Sequence, residues 1–439
     1  MSLPSLDETH DPATLSWVPG ANDSKASFPP QNLPFGVFSE LARPELAPRA
    51  GVAIGDRIFD LSAAAARGLL KDPSILKALD TSTCPLNGLM ESGHDVRRAL
   101  RLHLFRLVTQ TRFAEDVRPV LVPMNEASMH LPFEVYGFTD FYAGIHHATN
   151  VGRLFRPENP LLPNYKYVPI AYNSRASTVG VSGEEIVRPS GQLKDPLQEA
   201  PVFGPCRSLD YEVELGAVVG VASDRHRPLA PSDAWNHIFG FVLLNDWSAR
   251  DIQSWEYQTL GPYLAKSFAT TISPWVVTPE ALAPFRTSVA RRGPADPEPL
   301  PHLSDATDLS AGAMDIRLEA WLQTSKMRSE NEPHHRLSSG NARDLYWSFG
   351  QMLAHMTSNG SNLRSGDLVG SGTVSGADRL SWGSLIELSG GGKYPFDLPN
   401  GEKRSFLEDG DEVILRGVCE RAGFQPIAFG ECRGLVRGA

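Results

Sequence analysis

The sequence has no apolar run near the roughly 18–20 residues that a membrane helix needs. It also has few cysteines. Cys84, Cys206, Cys419 and Cys432 form no CxxC pair and no metal-binding spacing, so they read as reduced thiols of a cytosolic protein. Positive charge is not in excess: 41 Lys and Arg stand against 51 Asp and Glu, a formal net charge of −10. That balance disfavours nonspecific binding to nucleic acid or to an anionic membrane, though a local basic pocket could still hold an anionic substrate. No internal repeat occurs. Gly390-Gly391-Gly392 is followed by no Lys-Ser/Thr helix start, so it reads as a turn and not as a phosphate loop. The opening MSLPSLDETHDPATLSW is polar, with no signal-peptide apolar stretch, and the expected location is cytoplasmic.

What is present is ordinary for a globular chain of 439 residues, with 41% hydrophobic and 21% charged residues. That length allows two or three domains and a large core. The 38 Gly and 35 Pro favour a turn-rich, mainly β architecture with some helix, of the α+β class. Short strands are expected within 34–62, with Gly55-Asp56 as a hairpin turn. Helices are expected near 62–80 and near 94–112, where Val96, Leu100, Leu104, Leu107 and Val108 recur at helical spacing. This block, residues 1–125, reads as a small β-rich domain, and 126–439 as a larger one. Strands are expected at Ile238–Leu244, Trp275–Val277, Met314–Gln323, Leu385–Leu388 and Glu412–Gly417. A helix is expected over Arg343–Thr357, ended by Asn359-Gly360. The Pro- and Asp-rich stretch 283–312 reads as a surface loop.

Four carboxylates draw the functional reading: Asp140, Glu212, Glu214 and Asp246. Glu212 and Glu214 are two apart in a strand-like segment, so both side chains point to one face. The same spacing also fits a solvated strand face. If the acids meet in an apolar setting, they repel unless a cation neutralises them, and an all-oxygen set suits a hard ion such as Ca²⁺ or Mg²⁺. Beyond Asp246, a helical turn would put Arg250, Gln253 and Tyr257 on one side. A cation, an amide and a phenol facing together could hold an oxyanion or a carboxylate. Lys266 lies in an apolar context unusual for an exposed lysine.

The segments DFYAGIHHATNVG, RPSGQ, LDYEVELG, HIFGFVLLNDWSARDIQSWEYQTLGP, KSFATTISPWVV and GSGTVSG resemble the fumarylacetoacetate hydrolase family, and within it the fumarylacetoacetase branch. The resemblance runs from about residue 130 to 432 and more weakly through the N-terminal block. It implies a small N-terminal SH3-like β-barrel, a larger mixed β-sheet roll that carries catalysis, and a homodimer. It implies metal-dependent hydrolysis of the carbon–carbon bond of 4-fumarylacetoacetate to fumarate and acetoacetate, the last step of tyrosine and phenylalanine catabolism. Asp140, Glu212, Glu214 and Asp246 match the family's Ca²⁺- or Mg²⁺-binding acids, with Lys266 and Thr270 beside the metal. His147 matches the catalytic histidine, Glu387 the acid that orients it, and Arg250, Gln253 and Lys266 the groups that stabilise charge on the reacting centre. Tyr142, Arg156, Tyr172, Gln253, Tyr257 and Thr373 match substrate contacts. His146 takes no catalytic role, and Ala269 stands where the family often has Gly. Two other readings remain open: an acylpyruvate hydrolase or oxaloacetate decarboxylase of the same superfamily, and a non-catalytic metal-stabilised binding protein. Intact His147 and Glu387 speak against the second.

Overall fold

The computed structural model describes residues 4–23, 27–79, 86–290 and 292–439; Cys84 lies outside them. The architecture is α+β, built around three larger sheets. In the N-terminal block, Arg49–Ile54 and Arg57–Asp60 form the expected hairpin, with Ile54 paired to Arg57. Gly55 turns the chain at φ +58°, a conformation that glycine adopts without a Cβ penalty. The N-terminal block contains a five-stranded antiparallel sheet ordered 121–123, 57–60, 49–54, 35–40, 127–130. Its last strand lies beyond residue 125.

The centre of the molecule is a seven-stranded mixed sheet ordered 171–173, 137–141, 367–370, 213–219, 238–246, 270–272, 179–181. A five-stranded sheet, ordered 335–341, 317–323, 412–419, 427–437, 185–187, packs on one side of it. Leu215, Ala217, Phe241 and Leu243 face that second sheet, in one core with Leu318, Ala320, Val413 and Leu415. Their alternate neighbours Val218, Val242 and Leu244 face the other way, into a core shared with Leu100, Leu104 and Phe105 of the N-terminal block. With both faces covered, the strand Ile238–Asp246 is apolar nearly throughout, and all nine of its residues are buried.

Several local expectations need correction. The helix expected near 62–80 is two helices, Leu61–Ala66 and Pro73–Leu79, separated at Gly68 with φ +72°. The helix expected from Arg343 begins only at Phe349, because Ser348 and Gln351 form a capping box that fixes its start. Leu385–Leu388 is a helical turn, not a strand. Its first two amides, Leu385 N and Ile386 N, donate to the Asp210 carboxylate at 2.7 and 2.9 Å, which replaces strand pairing. Trp275–Val277 contributes isolated bridges, from Val276 to Phe35 and from Val277 to Phe241, and no full strand. The stretch 283–312 is more ordered than a loop: it holds the short strand Arg286–Thr287 and the helix Ala306–Ala311.

Among the described residues, a buried ion pair joins the N-terminal block to the larger part of the chain. Arg97, on the helix Gly93–Thr109, donates through Nε to Glu280 Oε2 at 2.9 Å and through Nη2 to Oε1 at 2.8 Å. His94 Nδ1 is 2.7 Å from the same Oε1. Burial alone would raise the Glu280 pKa, but Arg97 and the hydrogen bond from His94 hold it below the usual carboxylate range. Glu280→Ala leaves Arg97 buried without its partner and is expected to lower stability by about 3–5 kcal/mol, read as a lower urea midpoint. Because the folded-state pKa is depressed, this contribution is present above the unfolded glutamate pKa of about 4.3. It is lost as pH falls towards the folded value, so wild type and variant converge in acid.

Candidate active site and metal centre

Three strands of the central sheet deliver acids to one place. Asp140 is the last residue but one of Gly137–Phe141, Glu214 the second of Val213–Val219 and Asp246 the last of Ile238–Asp246. All three are buried, and one oxygen from each lies within 4.8 Å of the other two. Asp140 Oδ1, Glu214 Oε1 and Asp246 Oδ1 accept no hydrogen bond among the described residues. The strand between 137–141 and 213–219 carries Gly370 at this level. A Cβ there would stand 2.4 Å from Asp140 Oδ1 and 3.1 Å from Glu214 Oε2, so glycine keeps the space between the carboxylates open. Burial first, and then repulsion from the neighbouring acids, pushes the pKa values of Asp140 and Glu214 well up and that of Asp246 up. Unpartnered, mutually repelling oxygens around a kept space are a donor set that fits a hard divalent cation.

Glu212 is arranged differently from the other three. One of its oxygens accepts from Lys266, and the other is 2.8 Å from Arg250 Nη2. Burial would raise its pKa, yet Lys266, Arg250 and His147 hold it below the usual range. Lys266 also donates to Asp246 Oδ2 at 2.6 Å. Burial opposes its charge, but Asp246 and Glu212 outweigh that and push the ammonium pKa up, so Lys266 is a fixed cation. Thr270 is paired with Asp246 across neighbouring strands. Tyr172 donates to Asp140 Oδ2 at 2.9 Å or to Asp246 Oδ2 at 2.7 Å, and bridges the two acids.

The histidine comes from the helix Ile145–Phe155, which starts directly after the strand that carries Asp140. His147 is 2% exposed. Its Nδ1 lies 2.7 Å from Glu387 Oε2, and its Nε2 lies 3.6 Å from Glu212 Oε1. The Tyr142 ring packs edge-on to the imidazole, with centroids 5.6 Å apart. Glu387 is held by further donors: Asn150 Nδ2 at 2.8 Å, Ser384 Oγ at 2.7 Å and Ser375 Oγ at 2.9 Å. Burial would raise the Glu387 pKa, but His147 and these hydrogen bonds lower it, so the acid stays ionised behind the ring.

The helix Arg250–Glu256 supplies the opposite wall. Arg250 Nη1 donates to Gln253 Oε1 at 3.1 Å, and Gln253 and Tyr257 reach the same space, as their spacing predicts. Arg156 caps the His147 helix and donates to the Pro160 carbonyl at 3.2 Å; its Nε has no partner among the described residues. Thr373 Oγ1 is likewise buried and without a partner among the described residues. All these groups line one cavity of about 620 Å³ that also contains Asp140, Glu214, His147 and Lys266. Its other half is apolar, with Val151, Phe155, Leu161 and Ile170. His146 lies beside the site and does not line the cavity. Cys206 is buried, with Sγ 2.9 Å from Asp251 Oδ1, away from the histidine.

Sequence reasoning missed four residues that organise this site: Asp210, Asn150, Ser375 and Ser384. Asp210 lies in LDYEVELG, Asn150 in HATN and Ser375 in GSGTVSG, but contacts of Asp210 and Asn150 across 175 and 237 positions cannot be read from spacing.

Comparison with known proteins agrees along nearly the whole chain. A family model described as fumarylacetoacetate hydrolase C-terminal matches residues 137–437, and one described as fumarylacetoacetase N-terminal matches 31–132. The chain is 44% identical to the fumarylacetoacetase of Homo sapiens, over 96% of its own length and 98% of that protein. It is 43% identical to the fumarylacetoacetase of Arabidopsis thaliana, over 94% and 96%. Among solved structures, the fumarylacetoacetate hydrolase of Exiguobacterium antarcticum shares the fold, with TM-score 0.50 at 15% identity, covering 93% of this chain and all of that one.

Proposed function

The chain belongs to the fumarylacetoacetase family, and from that premise we propose that it hydrolyses 4-fumarylacetoacetate to fumarate and acetoacetate. The observation that carries the reading is the joint placement of His147, Arg250, Lys266, Asp140 and Glu214 around one cavity, with Glu387 behind the histidine and Asp246 beside the two acids. The reaction adds water to the carbonyl on the fumaryl side. It then breaks the bond to the neighbouring methylene carbon, which leaves as the enolate of acetoacetate and takes up a proton. Two tasks follow: water must lose a proton, and charge must be stabilised on the oxyanion and on the enolate.

With Glu387 accepting from Nδ1, His147 presents Nε2 to the cavity and takes the proton from water. Glu387 steadies the imidazolium that forms. Arg250, Gln253 and Lys266 receive the developing oxyanion. Tyr142, Arg156, Tyr172, Tyr257 and Thr373 grip the carboxylate ends and the diketone. Asp140, Glu214 and Asp246, with Glu212 at their edge and Lys266 and Thr270 beside them, would hold Ca²⁺ or Mg²⁺. When bound, such an ion supplies Lewis-acid stabilisation of the diketone oxygens. No serine or cysteine nucleophile is required. The same reading includes a cytoplasmic homodimer.

Arg250→Leu tests the oxyanion role. An interaction made mainly in the transition state shows in kcat, and loss of one such donor costs roughly 10²–10³-fold. Steady-state kinetics should show that fall with KM little changed. A rise in KM alone reassigns Arg250 to ground-state binding. The activity itself is tested by fumarate release, with acylpyruvates and oxaloacetate run alongside: faster turnover of either would move the chain to another activity of the same superfamily.

A further inference from the structure

Asp210 does not line the cavity, yet it is fully buried and its carboxylate joins two parts of the site. Oδ2 accepts from Arg250 Nε at 2.9 Å and from Ile386 N at 2.9 Å. Oδ1 accepts from Leu385 N at 2.7 Å and from Tyr211 N at 2.8 Å. Leu385 and Ile386 open the turn that carries Glu387. The cap residue of that turn, Ser384, makes no cap hydrogen bond; its hydroxyl is committed to Glu387 instead. The guanidinium edge held by Asp210 is the Nε side, which leaves Nη1 for Gln253 and Nη2 for Glu212. From there the contacts close into a ring: Glu212 Oε1 to His147 Nε2 at 3.6 Å, His147 Nδ1 to Glu387 Oε2 at 2.7 Å, and back through the turn to Asp210.

We infer that Asp210 is a positioning residue for hydrolysis, holding Arg250 and the Glu387 turn at one fixed separation so that the oxyanion partner and the base meet the same carbonyl. The inference rests on the hydrolytic reading of the site given above. A carboxylate suits the task because every contact it makes here is with a donor, and its two oxygens can accept from two directions at once. An amide cannot replace it: its NH₂ would face either Arg250 Nε or the turn amides, donor against donor. A buried ion pair that served folding alone would need no link to the turn behind the base.

Asp210→Asn is therefore expected to lower kcat by about 10²-fold, the scale of one misplaced oxyanion donor, with KM within about threefold. In an Arg250→Leu background the same substitution should cost less than about tenfold, because residues that act through one another are not additive. A readout independent of turnover is amide hydrogen exchange. Exchange at Leu385 and Ile386 should rise at least about tenfold in Asp210→Asn, while Leu318 and Leu415 in the second sheet keep their protection. Should Asp210→Asn not fold, Asp210→Glu keeps the charge on a longer arm and supports the inference by the same kcat loss at constant KM and the same attenuation. Equal losses in both backgrounds, an unchanged kcat for the folded fraction, or unchanged exchange at Leu385 and Ile386 overturns the positioning role. Failure of wild type to release fumarate would end the hydrolytic reading instead, and the exchange data would then decide the positioning claim alone.

Discussion

His147→Ala lowers kcat by roughly 10²–10⁴-fold, the usual size of a lost general base. The expectation follows from position. Nδ1 is committed to Glu387 at 2.7 Å, so Nε2 is the one ring nitrogen free to face the cavity and accept a proton from water. Alanine removes that acceptor but touches none of the three unpartnered acids, so metal content should be unchanged. Protonation of the ring also removes the acceptor. Wild-type kcat/KM should therefore fall on the acid side, and the variant should lose that limb of its pH profile. Glu387→Gln should cost less than His147→Ala, because an acceptor remains but the charge that supports the imidazolium is gone. Near wild-type turnover in His147→Ala, with the acid limb at the same midpoint, would show that water is activated elsewhere and that the His147–Glu387 pair is structural.

Exhaustive chelation abolishes turnover, and Ca²⁺, Mg²⁺ or Mn²⁺ restores it. Asp140, Glu214 and Asp246 each keep an oxygen without a donor in a buried place, and burial and mutual repulsion already push their pKa values up. Lys266 and Tyr172 satisfy only the opposite oxygens of Asp246 and Asp140. A cation that binds the folded chain alone also stabilises it, by about 2.7 kcal/mol at a hundred times its Kd. The melting temperature should therefore rise on titration with metal, and Glu214→Ala should flatten that rise. Protein verified as metal-free that keeps full turnover removes the metal from the account.

The sequence made legible what is local or repeated along one element. Glu212 and Glu214 share a face because strands alternate, and Arg250, Gln253 and Tyr257 reach one space because helices repeat every three to four residues. The apolar run Ile238–Leu244 announced a strand, which the structure covers on both faces. The segment Leu385–Leu388 was not legible, because its β-like composition is overridden by a carboxylate 175 positions away that accepts from its first amides. The different environments of the four acids were hidden for the same reason. Glu212 alone faces both Lys266 and Arg250, and that follows from the path of three separate elements and not from spacing. Ala269 is half-buried against the main core.

The most direct test is product release from 4-fumarylacetoacetate by the purified, metal-loaded chain. The account predicts fumarate and acetoacetate in equal amounts, lost together in His147→Ala. Intact substrate after incubation with folded, metal-loaded protein would contradict it.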